Sequence, residues 1–133
     1  MGNNNTVEFI QEKCAVMRRD VIEMGYIAGG RGAHFGPALS SIEIMASLFF
    51  NIMNHDPKNP TMPDRDRFVQ SKGHACLSYY SALIESGYIA KDQKSTFKQD
   101  ESILSGHPSR NIEHGIEISS GSLGNGFAVA CGM

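Results

Sequence analysis

Ile10, Cys14, Met17, Val21 and Met24 recur at alternating spacings of four and three residues. An α-helix brings such positions onto one face, because its side chains repeat every ~3.6 residues. The spacing predicts a helix from about Thr6 to Ile27 that must bury this stripe against other elements. Asn5 with Glu8 fits a capping box at its start, and Gly29-Gly30 stop it. The chain has the material for such a core: 41% of its 133 residues are hydrophobic, enough for one domain and too many for a disordered segment.

A glycine-rich turn is expected from Gly29 to Pro37. Ser40 with Glu43 fits a second capping box, ahead of a helix through Ile42 to Ile52 that is apolar on most sides and so expected to be buried. Residues 54–66 turn to Asn, Asp and Pro, the composition of a surface loop. Phe68-Val69-Gln70 reads as a short buried strand running into Ser71-Lys72-Gly73-His74. A third helix follows through Leu77, Tyr80, Leu83 and Ile84 to Gly87. Lys91 to Lys98 reads as a short polar helix, and Ser105 to Pro108 as a tight loop. Ile116-Glu117-Ile118 reads as a second strand, followed by a small, glycine-rich stretch and an apolar helix from Phe127. Strand, glycine loop and helix in that order suggest a parallel α/β sheet flanked by helices. Two strands are too few to build one, so the expectation is an incomplete α/β fold, helix-rich in this portion, and a piece of something larger.

The formal net charge of −2 excludes a polycation that grips nucleic acid by electrostatics alone. No apolar run approaches the ~20 residues that span a bilayer, and residues 1–5 lack the regions of a signal peptide. The expectation is a soluble cytoplasmic protein with neither nucleic acid nor membrane as partner. Cys14, Cys76 and Cys131 are odd in number and far apart, as expected of small buried hydrophobes in a reducing compartment.

Four of the five histidines, His34, His74, His107 and His114, lie within two residues of a glycine; His55 stands alone in the Pro/Asn loop. Glycine lets backbone approach a ligand, and histidine moves protons near neutral pH. The ends of strands and helices, where these loops fall, are where α/β folds place sites. A structural, hydrogen-bonded histidine is the alternative at each position. The spacings of a zinc cluster are absent, so no metal is assigned to the histidines. Gly121-Ser122-Leu123-Gly124-Asn125-Gly126, between strand and helix, offers N–H groups and a positive helix end to a phosphate. It is neither the dinucleotide fingerprint nor a P-loop, and a simple tight turn is the alternative.

Together these segments resemble the transketolase family. Ala33-His34-Phe35-Gly36 leading to Leu39-Ser40-Ser41-Ile42-Glu43-Ile44 is similar to its first substrate-loop histidine and following helix. The run from Asp64 through Ser71-Lys72-Gly73-His74-Ala75, the Gly106-His107-Pro108 loop and the run from Gly115 to Gly126 match three further motifs in order. The wording leans toward the N-terminal subunit of two-subunit transketolases.

The resemblance implies a thiamine diphosphate enzyme that passes a two-carbon ketol unit from a ketose, such as a sugar phosphate, to an aldose acceptor. It implies that residues 1–133 are the N-terminal part of the cofactor-binding domain. His74, Gly121, Ser122 and Leu123 would hold the cofactor; His34, His74 and His107 would be catalytic, with His34 and His107 facing the sugar. The family's divalent ion, Mg2+ or Ca2+, is expected through residues this chain does not contain, since its Gly-Asp-Gly segment and later Asn are not in the sequence. Glu43 and Glu117 match no family glutamate. Lys72 reads as a solvated lysine near the site. The implied partner is a C-terminal subunit or the remainder of the enzyme, in a homo- or hetero-oligomer, with the chain inactive alone. Two other readings stand beside it: a non-catalytic split fragment acting as an interaction piece, and a deoxyxylulose-phosphate-synthase-like enzyme.

Overall fold

The computed structural model describes the backbone from Gly2 to Met133 and side chains from Asn5 onward. The first helix is longer than its periodicity suggested: α1 runs Gly2–Ala28. Cys14, Met17, Val21 and Met24 are at most 5% exposed, and Ile10 packs against the same core. Asn5 lies within α1 and therefore does not cap it with Glu8; a capping residue needs non-helical backbone for its side chain to reach a free N–H.

A 3-10 turn at Gly29–Arg31 follows, and Gly32 reverses the chain at φ +70°. The stretch expected to remain a turn as far as Pro37 instead contains a short helix, α2 (Phe35–Leu39). Pro37 sits in its first turn, where a missing N–H removes no helical bond. Soon afterwards α3 (Ile42–Ser47) begins, continuing as a π-type turn over Leu48–Ile52. The second anticipated capping box does not form. Ser41, not Ser40, precedes α3, and it makes no side-chain cap bond. Ser40 Oγ donates to the Pro37 carbonyl at 2.9 Å, and Glu43 pairs with Arg18. Both hydroxyls turn back onto carbonyls at the end of α2, Ser41 Oγ donating to that of Ala38 at 3.0 Å, instead of facing the first N–H groups of α3. The helix expected to be buried on most sides is divided: Ile42, Met45, Ala46 and Phe49 are buried, whereas Ile44 is 61% and Ile52 63% exposed.

The central element is α4 (Cys76–Ser86), buried at every position from Cys76 to Ile84. The first three helices pack around it. Its hydroxyls are satisfied within that core: Ser78 Oγ donates to the Ala75 carbonyl at 2.8 Å, and Ser81 Oγ to Asp20 at 2.7 Å. Asp20 also takes Lys94 Nζ at 2.7 Å, which ties the 3-10 segment Lys91–Thr96 to α1.

Neither anticipated strand forms. Among the described residues the sole β feature is an isolated antiparallel bridge between Asn111 and Ile116. Hydrophobicity alone does not make a strand; its N–H and C=O groups need a second extended segment alongside. Phe68 is held by its ring, 5.5 Å from Phe49 and 5.1 Å from Tyr79, and Glu117 by an ion pair with Arg65. The parallel sheet is therefore not built by the described residues, which are helical or irregular. After a 3-10 turn at Ile112–His114, the last element is α5 (Asn125–Gly132). No helix among the described residues is long and apolar enough to cross a membrane.

Candidate active site

Three of the five histidines meet on one face. The ring of His34 lies 5.7 Å from that of His74, edge-on at 77°, and 6.0 Å from that of His107. His34 and His107 are exposed and His74 is half-buried, so the shared face is open to solvent. These are the three residues expected to be catalytic, and each arrives from a different part of the chain.

His34 stands at the position before α2. The next residue, Phe35, lays its ring directly on Gly25 of α1, where no Cβ would fit. That close approach fixes the start of α2 against α1. His74 lies in the 3-10 turn Gly73–Ala75 that leads into α4. The Gln70 side-chain amide donates to the Ala75 carbonyl at 3.2 Å beneath it. The His107 loop is pinned by α4: Cys76 Sγ donates to the Gly106 carbonyl at 3.1 Å, and Tyr80 Oη to the Ser105 carbonyl at 2.9 Å. Burial pushes the Cys76 thiol up to about 12 and the Tyr80 hydroxyl above its usual range, so both keep the protons they donate. Tyr79 Oη likewise anchors the Gly115 carbonyl at 2.6 Å, ahead of the glycine loop.

The glycine loop crosses the His74 turn at two points. A Cβ on Gly73 would stand 2.8 Å from both Gly121 N and Ser120 Oγ. One on Gly126 would stand 2.5 Å from Ser71 Cα. Gly121 also borders the His107 ring, 3.6 Å from the place its own Cβ would occupy. The backbone of Gly121 thus lies between His74's turn and His107. Ser122 is exposed and Leu123 is 75% exposed, so their side chains hold nothing within the chain. Gly124, at φ +85°, turns the loop into α5. Ser120 Oγ is buried beside this crossing with no hydrogen-bond partner, a polar atom left over at the point where a ligand would be cradled.

Several other ionisable groups are engaged within the chain. Arg65 grips Glu117 with its two terminal guanidinium nitrogens, and the two side chains are only 8% and 5% exposed. The hydrogen bond from Arg18 holds Glu43 below the usual carboxylate range. Lys72 Nζ donates to Ser40 Oγ at 3.2 Å. His55 stacks on Tyr88 at 5.5 Å with Nε2 2.7 Å from the Phe49 carbonyl, and belongs to the core around α4 rather than to the site. Among the described residues no three His, Cys, Asp or Glu side chains converge closely enough to hold a metal ion. Sequence reasoning assigned Gly25, Cys76, Tyr79 and Tyr80 no part in the site. The adjacent tyrosines in a largely apolar helix were the available signal, because a buried phenol needs a partner.

Residues 11–133 match the family model described as transketolase, thiamine diphosphate binding domain. The chain is 38% identical over 130 residues to an apulose-4-phosphate transketolase subunit from Actinobacillus succinogenes, covering 98% of this chain and 47% of that protein. It is 38% identical over 125 residues to a 6-deoxy-6-sulfo-D-fructose transketolase subunit from a Clostridium species, covering 93% and 44%. Among solved structures, transketolase from Leishmania mexicana superposes with a TM-score of 0.80 at 34% identity, over 92% of this chain and 18% of that one. The chain therefore spans about half the length of the curated relatives it matches first.

Proposed function

Because this chain belongs to the transketolase family, by its match to the thiamine diphosphate binding domain, we propose that it supplies the cofactor-binding half of an enzyme that transfers a two-carbon ketol unit. The donor is a ketose or ketose phosphate and the acceptor an aldose. The observation that carries this reading is the meeting of His34, His74 and His107 beside the backbone of Gly121. When bound, thiamine diphosphate supplies the nucleophilic carbon and the electron sink that the protein lacks.

The chain's own residues take the remaining tasks. The N–H groups at Gly121, Ser122 and Leu123, close to the start of α5, suit a diphosphate, as does the His74 ring. The tight crossing at Gly73 and the unpartnered Ser120 Oγ support that fit. His34 and His107 face the sugar. Their ring nitrogens donate to a carbonyl or hydroxyl oxygen as charge develops on it, and carry protons between sugar and solvent. The divalent ion, Mg2+ or Ca2+, is held by residues outside this chain. So are the further strands that complete a parallel sheet. The partner is a C-terminal subunit or the remainder of the enzyme within an oligomer, as the names of the relatives, themselves subunits, suggest. Pentose phosphate metabolism and the cytoplasm are the setting that fits this chemistry.

The test is ketol transfer by the complete assembly with thiamine diphosphate and magnesium, in the wild type and in His74→Ala. The expected outcome is a fall in kcat/KM of about a hundredfold or more with an unchanged melting temperature. Wild-type turnover in that variant would overturn the assignment.

A further inference from the structure

We infer that Lys98 is a positioning residue that clamps the turn before His34 to the turn before His107 and so sets the spacing of the two histidines. Its effect on turnover rests on the ketol-transfer reading; the clamp itself does not.

Lys98 falls in none of the motifs that pointed to the site. It follows the 3-10 segment Lys91–Thr96 and adopts a left-handed backbone, φ +55°. Residues with a Cβ seldom hold that conformation unless their surroundings impose it. Here the Lys98 N–H donates to the Leu104 carbonyl at 2.9 Å, which closes a loop around Ser102. The side chain then reaches the opposite turn. Its Nζ donates to the carbonyls of Arg31 at 3.0 Å and Gly32 at 2.8 Å. Its stem lies across Gly106, where a Cβ would stand 2.5 Å from Lys98 Cε. Gly32 is two residues before His34, and Gly106 immediately precedes His107. Gln99 reinforces the join by accepting from Arg31 at 3.0 Å.

The two histidine turns share no helix and no ladder, and both rings are exposed. Charge-assisted bonds tie the ammonium to the turn before His34, while the backbone bond to Leu104 and the stem across Gly106 tie the same residue to the loop before His107. Groups that must act on one substrate tolerate little displacement: an error of about 1 Å can cost about a hundredfold in rate.

The experiment uses the complete enzyme with three variants. Lys98→Met keeps the stem and removes the ammonium, Lys98→Arg restores a cation, and Gly106→Ala pushes on the Lys98 stem. Amide hydrogen exchange over residues 30–35 and 105–108 is measured beside kcat, donor KM and the Kd for thiamine diphosphate. Lys98→Met is expected to raise exchange in both turns together and lower kcat about tenfold or more, with KM and Kd within about twofold of the wild type. Lys98→Arg is expected to recover both exchange protection and kcat, and Gly106→Ala to repeat the loss. Faster exchange in one turn alone, or in neither, overturns the clamp. Two loosened turns with wild-type kcat overturn the positioning role, and so does a general loss of cofactor affinity. If the wild type transfers no ketol unit, the functional reading fails while exchange still decides the clamp.

Discussion

At position 73 the absence of a side chain is what lets two parts of the site touch. Gly73 faces Gly121 N and Ser120 Oγ so closely that a methyl group there displaces backbone, which yields far less readily than a side chain. Gly73→Ala is expected to cost about 1–3 kcal/mol and to weaken thiamine diphosphate binding, since it pushes the glycine loop away from His74. Melting and cofactor titration of the variant check this; wild-type values in both would mean that the loop does not cradle the cofactor. Proximity to glycine singled out four histidines in the sequence, and only the resemblance of their motifs to the family separated His34, His74 and His107 from His114. Their ring separations were not legible there, since nothing local to His34 refers to His107, about seventy residues away. Gly25 shows the same limit: its role comes from the Phe35 ring laid on it. Inside α1 that glycine reads only as a weak helix former.

Helices were the elements most readily read, because their periodicity is contained in the segment itself. The stripe from Ile10 to Met24 is the buried face of α1, and α4 ends where Gly87 was expected to end it. Gly87 has φ +96°, and its N–H meets the carbonyls of Leu83 and Ile84, both at 3.1 Å. A Cβ there would only touch Pro57 at 3.6 Å, so Gly87→Ala isolates the backbone cost. The expected loss is about 1–2 kcal/mol of stability, read from denaturant unfolding, with the site's kinetics unchanged. A larger loss, or an altered kcat, would mean that the cap also carries the site. The strands and the two capping boxes were misread because each depends on more than its own segment. A strand requires a partner elsewhere in the molecule, Asn5 cannot cap a helix that already begins at Gly2, and the hydroxyls ahead of α3 turn back to carbonyls of α2.

Across the whole molecule, ion pairs join elements far apart in sequence. Glu85 of α4, with its side chain 7% exposed, receives Lys13 of α1 and Lys91, both at 3.1 Å. Burial, the largest single influence, pushes its carboxyl up. The hydrogen bonds and charges of Lys13 and Lys91 together outweigh burial and hold it below its ordinary value of 4.5. A carboxyl lowered on folding stabilises the protein above its unfolded pKa, and that contribution is lost as pH falls through the folded pKa. Glu85→Gln is therefore expected to melt below the wild type at pH 7, with the gap closing as pH falls below about 4. A gap independent of pH would assign the loss to packing instead.

The order of motifs, the helical stripes and the glycine-flanked histidines were determined by the sequence alone, since each is a pattern among near neighbours. The tertiary structure decided which histidines share a face and which glycines are points of contact. It also decided that a buried Cys76 and Tyr80 hold one loop while Lys98 bridges two. Those relations depend on distances between segments that chain connectivity leaves free, and packing around α4 is what closes them.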